Sequence, residues 1–190
     1  IRKGTIVKII PYLGGLIFVM VLYLIAWPVP IDPVAWQPLP APQLEGQYMI
    51  NDYLAAVEII GKDEGIGPED VDVDDEGRIY GAYLDGTIIR FSANGENLGV
   101  FANTEGRPLG LDFDTAGNLI IADAKKGLLS ADKNGAIRVL ATEIDGTPFG
   151  FTDDVDIGPD GMIYFSDASE KFGVHDYRAD LFEHRPHGKI

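Results

Sequence analysis

The chain has 190 residues, 46% of them hydrophobic, and a net charge of −15: enough apolar material for a packed core, and too much acid for a phosphate-backbone partner. Nucleic acid is excluded on that ground. The absence of cysteine excludes disulfides, thiol catalysis and zinc-thiolate sites as well.

Arg2, Lys3 and Lys8 are the only charges in the first 30 residues, so residues 31–190 carry 12 basic and 30 acidic groups, a net of −18. Ile9 to Trp27 is an uncharged run of 19 residues that as a helix rises about 28 Å, close to the ~30 Å hydrocarbon core of a bilayer. Tyr12, Tyr23 and Trp27 lie towards its ends, where aromatic belts form. The pattern predicts one transmembrane α-helix within residues 1–28. No basic residue follows until Lys62, so the positive-inside rule puts the N-terminus in the cytoplasm and the remainder outside. The apolar run is longer than that of a cleaved signal peptide, and Leu24-Ile25-Ala26-Trp27-Pro28 offers a poor cleavage site. The expectation is a single-pass protein of the plasma (inner) membrane with its folded part periplasmic or otherwise extracytoplasmic, and with membrane lipid as one partner.

Residues 29–50 read as a stalk. Pro30, Pro33, Pro38, Pro40 and Pro42 fix φ and remove donors, favouring extended chain. Val29, Ile31, Val34, Trp36 and Leu39 make it more apolar than a free linker, which suits packing on a membrane surface or on other integral membrane subunits. Asn51 to Ile60, with Tyr53-Leu54 and Val57-Glu58-Ile59-Ile60, is predicted as a strand of the kind that closes a ring of blades.

Residues 51–190 hold a repeat. Val71/Val73, Leu111/Phe113 and Val155/Ile157 alternate with Asp72, Asp112 and Asp156, the period of two that puts apolar side chains on one face of a strand. Each pair is followed by a polar run ending in Gly77, Gly117 or Gly161, then by a returning strand through Ile79-Tyr80, Leu119-Ile121 or Ile163-Phe165. Two further strands complete the first two copies, Thr87 to Phe91 with Leu98 to Phe101, and Gly127 to Ala131 with Ile137 to Ala141. Four short strands repeating at about 40 residues is the pattern of propeller blades. The third copy stops after its second strand. Glu170 to His187 follows, with His175, His184 and His187 read as surface histidines. About two and a half blades leave open sheet edges, so the native polypeptide is expected to continue.

The run of motifs resembles the strictosidine synthase-like and senescence marker protein/gluconolactonase superfamily. Carrying the resemblance are Gly67-Pro68-Glu69-Asp70-Val71, Gly106 to Phe113, Ile121 to Leu128, Phe151 to Ile157, and Tyr164 to Ser169. It implies an all-β fold, a partial six-bladed β-propeller with its site around the central channel. It also implies a divalent cation, usually Ca²⁺, with Glu69 matching the first-blade ligand and Asp153 the third-blade position. Asp70 and Asp154 are expected to cap strands, and Asp123 and Asp167 to sit in turns.

The chemistry the resemblance implies is metal-dependent hydrolysis of a lactone or ester on a small-molecule substrate. Leu109 stands where paraoxonase-like relatives carry a catalytic histidine, which disfavours a histidine-based mechanism. The glutamate of the strictosidine-forming reaction lies beyond this chain. The alternative reading is a non-catalytic accessory or scaffold subunit of a membrane protein complex, a use to which propeller faces lend themselves.

Overall fold

The computed structural model describes residues 3–190, with side chains from residue 11 onward. The chain divides into two compact units, Ile1–Asp32 and Pro33–Ile190. The first contains helix α1 (Lys3–Ala26), with Pro11 inside it. Among the described residues no helix is long and apolar enough to cross a membrane. The predicted transmembrane helix, and with it the single-pass plasma-membrane localisation, is therefore overturned. Arg2, and the side chains of Lys3, Lys8 and Ile9 on which span and orientation leaned, lie outside the described residues.

The second unit is mostly β. Strands β1 (Val71–Val73), β2 (Ile79–Ala82), β3 (Thr87–Phe91) and β4 (Asn97–Asn103) form an antiparallel sheet in chain order. Strands β5 (Pro108–Phe113), β6 (Leu119–Asp123), β7 (Gly127–Ala131) and β8 (Ile137–Ala141) repeat it. After the short pair β9 (Glu143–Ile144) and β10 (Thr147–Pro148), strands β11 (Thr152–Ile157) and β12 (Ile163–Asp167) begin a third copy. Helix α2 (Tyr177–Glu183) follows.

Three of the hairpins share one turn. Asp74 Oδ1 accepts the backbone N–H groups of Glu76 and Arg78, Asp114 Oδ1 those of Ala116 and Asn118, and Asp132 Oδ1 those of Asn134 and Ala136, all between 2.8 and 3.0 Å. The glycine three residues after each aspartate, Gly77, Gly117 or Gly135, has φ near +80°, which an L side chain adopts only at a cost.

Adjacent sheets stack through the apolar sides of their strands. Tyr80, Ala82, Ile88 and Ala102 of the first sheet pack with Leu111, Leu119, Ile121, Leu129 and Ala131 of the second. Ile120, Ala122 and Leu128 then pack with Val155 of the third, with Ile157, Ile163 and Phe165 around them. On the opposite side, β1 and β5 are stitched to the next sheet by carboxylates. Asp70 and Asp72 accept the N–H groups of Leu111 and Phe113 at 2.8 and 2.9 Å, and Asp112 accepts that of Ile157 at 2.6 Å. The alternation seen in the sequence is thus apolar towards the preceding sheet and acidic towards the following one. Val71 and Val73 are exposed, since among the described residues no sheet packs on that side of the first.

Two expectations outside the repeat fail. Residues 51–60 form turns, with Ala55 N–H donating to Asp52 O, and Tyr53, Leu54 and Ile59 exposed; no neighbouring strand offers them a ladder among the described residues. The histidine-bearing segment contains α2, and its histidines are not all on the surface. His187 lies 3.0 Å from the buried Glu183, which Lys171 Nζ also reaches at 2.7 Å. His184 ends α2 with φ +58° and stacks with Trp36 at 4.9 Å, while Val34 N–H donates to Glu183 O. Val34 and Trp36 of the proline-rich segment are thereby held on α2.

A candidate cation and substrate cleft

The first strands β1, β5 and β11 begin around one cavity of about 490 Å³. Glu69 enters it from just before β1, Arg107 and Leu109 from the start of β5, and Phe151 and Asp153 from the start of β11. Leu84 and Lys125 come from the turns after β2 and β6, Val174 and His175 from the approach to α2, and Tyr177 from its first residue. The two predicted site residues, Glu69 and Asp153, are thus brought to one cavity although 84 residues separate them.

Two of the walls are fixed by a carboxylate at the end of a second strand. Asp123, fully buried, accepts the backbone N–H of Arg107 at 3.0 Å and those of Lys125 and Lys126 at 2.9 and 3.0 Å. Gly106 permits this, because a Cβ there would overlap the Asp123 carboxylate. In the third sheet Asp167 accepts Gly150 and Phe151 N–H at 2.9 and 2.7 Å. Asp123 therefore holds the turn after β6, as expected, and anchors the start of β5, whereas Asp167 anchors the chain entering β11 and holds no turn of its own. Asp70, directly before β1, acts as the expected strand cap, accepting the N–H of Val71 at 2.8 Å; Asp154 makes the same contact with Val155 at 2.9 Å but from within β11, at its bulge.

The electrostatics are uneven. Burial, reinforced by the negative charges of Glu69 and Asp154, holds the Asp153 carboxyl above the usual carboxylate range. Glu69, more than half exposed, receives a hydrogen bond from Arg107 Nη2 at 2.9 Å. The Arg107 side chain is nine-tenths buried, and its Nη1 has no hydrogen-bond partner. Among the described residues no group of three or more His, Asp or Glu side chains is placed to hold a metal ion. Glu69 and Asp153 supply hard oxygen donors of the kind Ca²⁺ takes, yet fall short of the ~6 to 8 oxygens it requires.

Sequence reasoning missed Arg107 as a site residue. The available signal was its position, a lone arginine directly before the first strand of a repeat in a strongly acidic chain. His175 sits exposed at the cavity wall, whereas His184 and His187 belong to the α2 cluster.

Two family models match, "Strictosidine synthase-like, N-terminal" over residues 46–91 and "Strictosidine synthase" over residues 153–190. Protein STRICTOSIDINE SYNTHASE-LIKE 4 of Arabidopsis thaliana is 37% identical over 168 residues, covering 85% of this chain and 44% of that protein. The adipocyte plasma membrane-associated protein of Danio rerio is 28% identical over 180 residues, covering 85% of this chain and 42% of that protein. The chain thus spans less than half the length of these relatives. Among solved structures, a gluconolactonase from Xanthomonas campestris aligns with TM-score 0.45 and 18% identity over 49% of this chain and 32% of that one. A virginiamycin B lyase from Staphylococcus aureus aligns with TM-score 0.47 and 14% identity over 57% and 37%. Two family-model matches at either end of the repeat region, with sustained identity to the plant relatives across it, mean that the chain belongs to the strictosidine synthase-like family.

Proposed function

We propose that these sheets are blades of a six-bladed β-propeller whose central cleft binds a divalent cation, Ca²⁺ by its oxygen donors, and hydrolyses small lactones or esters. The observation that carries this reading is the convergence of Glu69 and Asp153, from the first and third sheets, on one cavity. Asp153 resists ionisation first because it is buried and then because Glu69, in the same partly buried space, repels its charge. A cation between them relieves that repulsion.

When bound, the ion would polarise the carbonyl of an ester or lactone. Glu69 and Asp153 would be two of its ligands, with the remaining oxygens supplied from outside the described residues. Leu84, Leu109 and Phe151 give the cavity an apolar wall suited to the body of such a substrate. Leu109 carries no proton-transfer group, so it cannot serve as the base, and we assign that role to a carboxylate or to a water that a carboxylate orients.

Turnover of phenyl acetate and of a δ-lactone by the full-length protein, with and without a chelator, tests the reading. Glu69→Gln and Asp153→Asn should lower calcium affinity and turnover together. Turnover indifferent to the chelator and to both substitutions would return the two residues to plain loop carboxylates.

A second reading, a non-catalytic scaffold subunit, draws on the apolar side chains left exposed between residues 39 and 60: Leu39, Leu44, Tyr53, Leu54 and Ile59. Loss of a co-purifying partner when Tyr53 and Leu54 are both changed to Ser, with no hydrolysis at any calcium level, would favour it.

A further inference from the structure

Arg107 is the best-anchored residue of the cleft. Its backbone N–H is held by the buried Asp123, and its side chain is nine-tenths buried. A Cβ on Gly67 would come within 3.6 Å of its Nη1, so the guanidinium lies along the Gly67 backbone. Its Nη2 donates to Glu69 Oε2 at 2.9 Å. A positive charge fixed by the fold therefore sits beside one of the two carboxylates that the cation reading requires.

The pairing is of an exchangeable kind. It is a single contact, not the bidentate fork that makes arginine–carboxylate pairs strong, because Nη1 faces no acceptor. Glu69 is 58% exposed, so solvent screens the attraction. A divalent ion offers Glu69 twice the charge and a shared ligand in Asp153 across the cavity. The guanidinium, by contrast, cannot follow Glu69 away from its buried seat.

We propose that Arg107 is a tethered cation that holds Glu69 while the cleft is ion-free, and that ion binding releases its Nη2 to bind a carboxylate group on the substrate. This rests on the cation reading above and narrows the substrate class to lactones or esters that carry a carboxylate. Once Glu69 turns to the ion, Arg107 becomes a nearly buried cation without a counter-ion. Such a group is costly to leave unpaired and is a strong site for a planar anion. Lys125, on the same cavity, adds positive charge, and Leu84, Leu109, Phe151 and Tyr177 accommodate the apolar remainder.

The test is calorimetric titration of CaCl₂ into the full-length protein and its Arg107→Gln, Arg107→Lys and Glu69→Gln variants, followed by titration of benzoate at saturating and at zero calcium. Arg107→Gln should bind calcium about two- to fivefold more tightly than wild type, the loss of one competing charge at a half-exposed pair. Arg107→Lys, which keeps the charge, should stay near wild type. Benzoate should bind wild type only in the presence of calcium, and should not bind Arg107→Gln under either condition. Calcium affinity weakened by Glu69→Gln but unchanged or lowered by Arg107→Gln would overturn the competition while leaving the cation reading intact. Benzoate binding that ignores Arg107 would overturn the carboxylate assignment. No calcium binding by any of the four proteins would remove both readings together.

Discussion

Asp114 illustrates how much a single carboxylate does in this chain. It accepts the backbone N–H groups of Ala116 and Asn118 and the Asn118 side-chain amide, all at 2.8 to 2.9 Å. Burial pushes its carboxyl up, but the Asn118 side chain and the turn's N–H groups outweigh this and hold it below the ordinary range. A folded-state value below the unfolded one means the stabilisation is complete above the unfolded pKa of about 3.9, and is lost as pH falls through the lowered value. Asp114→Ala should therefore cost about 1–3 kcal/mol at neutral pH. The gap from wild type should narrow once denaturation is measured below about pH 4. Asp153 has the opposite sign. Its raised carboxyl contributes stability only below the unfolded value, and that contribution is lost as pH rises through the folded one, so at neutral pH the ionised group weakens the fold. Asp153→Asn should raise Tm at pH 7 in the presence of a chelator, make no difference below about pH 3.5, and weaken calcium binding. A lower Tm at pH 7 would show that Asp153 is a structural acceptor rather than a group held for a ligand.

Between elements, the separation of the sheets is set by glycine. A Cβ on Gly110 in β5 would stand 2.7 Å from Asp154 Cα and 2.8 Å from Val155 N, backbone atoms of β11 that have no rotamer through which to yield. Gly110→Ala should cost about 1–3 kcal/mol by prying the second and third sheets apart, and should disturb the cleft at Asp153. Gly161→Ala meets open space, and only its φ of +80° opposes it, so about 1 kcal/mol is expected. Urea melts of the two variants should rank them in that order. These elements also show what a sequence carries and what it does not. Strands β3, β7 and β8 were legible to the residue, because local alternation and the glycine turns fix them. Residues 51–60 have the same β-branched, aromatic composition, yet a strand is a relation to a neighbour, and none of the described strands lies alongside. Helix α2 was obscured by its short length and polar residues. Its order comes from long-range partners, Val34 and Trp36 on one side and Lys171 on the other, which no periodicity announces. The site was half legible on the same grounds. Family motifs pointed to Glu69 and Asp153, whereas the Arg107–Glu69 pair spans 38 residues and is visible only once the first and second sheets are stacked.

At the scale of the whole molecule, the stitching carboxylates give a direct test of ring closure. Asp72 accepts Phe113 N–H from the second sheet, and Asp112 accepts Ile157 N–H from the third. Asp156 holds the same register position in β11 and is exposed. The charges of Asp72 and Asp156 both help to raise the Asp112 carboxyl, after burial itself, so the three aspartates form one acidic column down the stack. Such a column is unfavourable unless each member is answered by an N–H group, and two of the three are. In the six-bladed ring proposed above, a fourth sheet would present its own first strand to Asp156 and complete the series. Asp156→Ala in the full-length protein should then destabilise by about as much as Asp72→Ala, on the order of 1–3 kcal/mol, since each leaves a strand N–H unsatisfied between sheets. An Asp156→Ala protein indistinguishable from wild type within about 0.5 kcal/mol, beside a clearly weakened Asp72→Ala, would mean that Asp156 stays in water and that no blade follows the third.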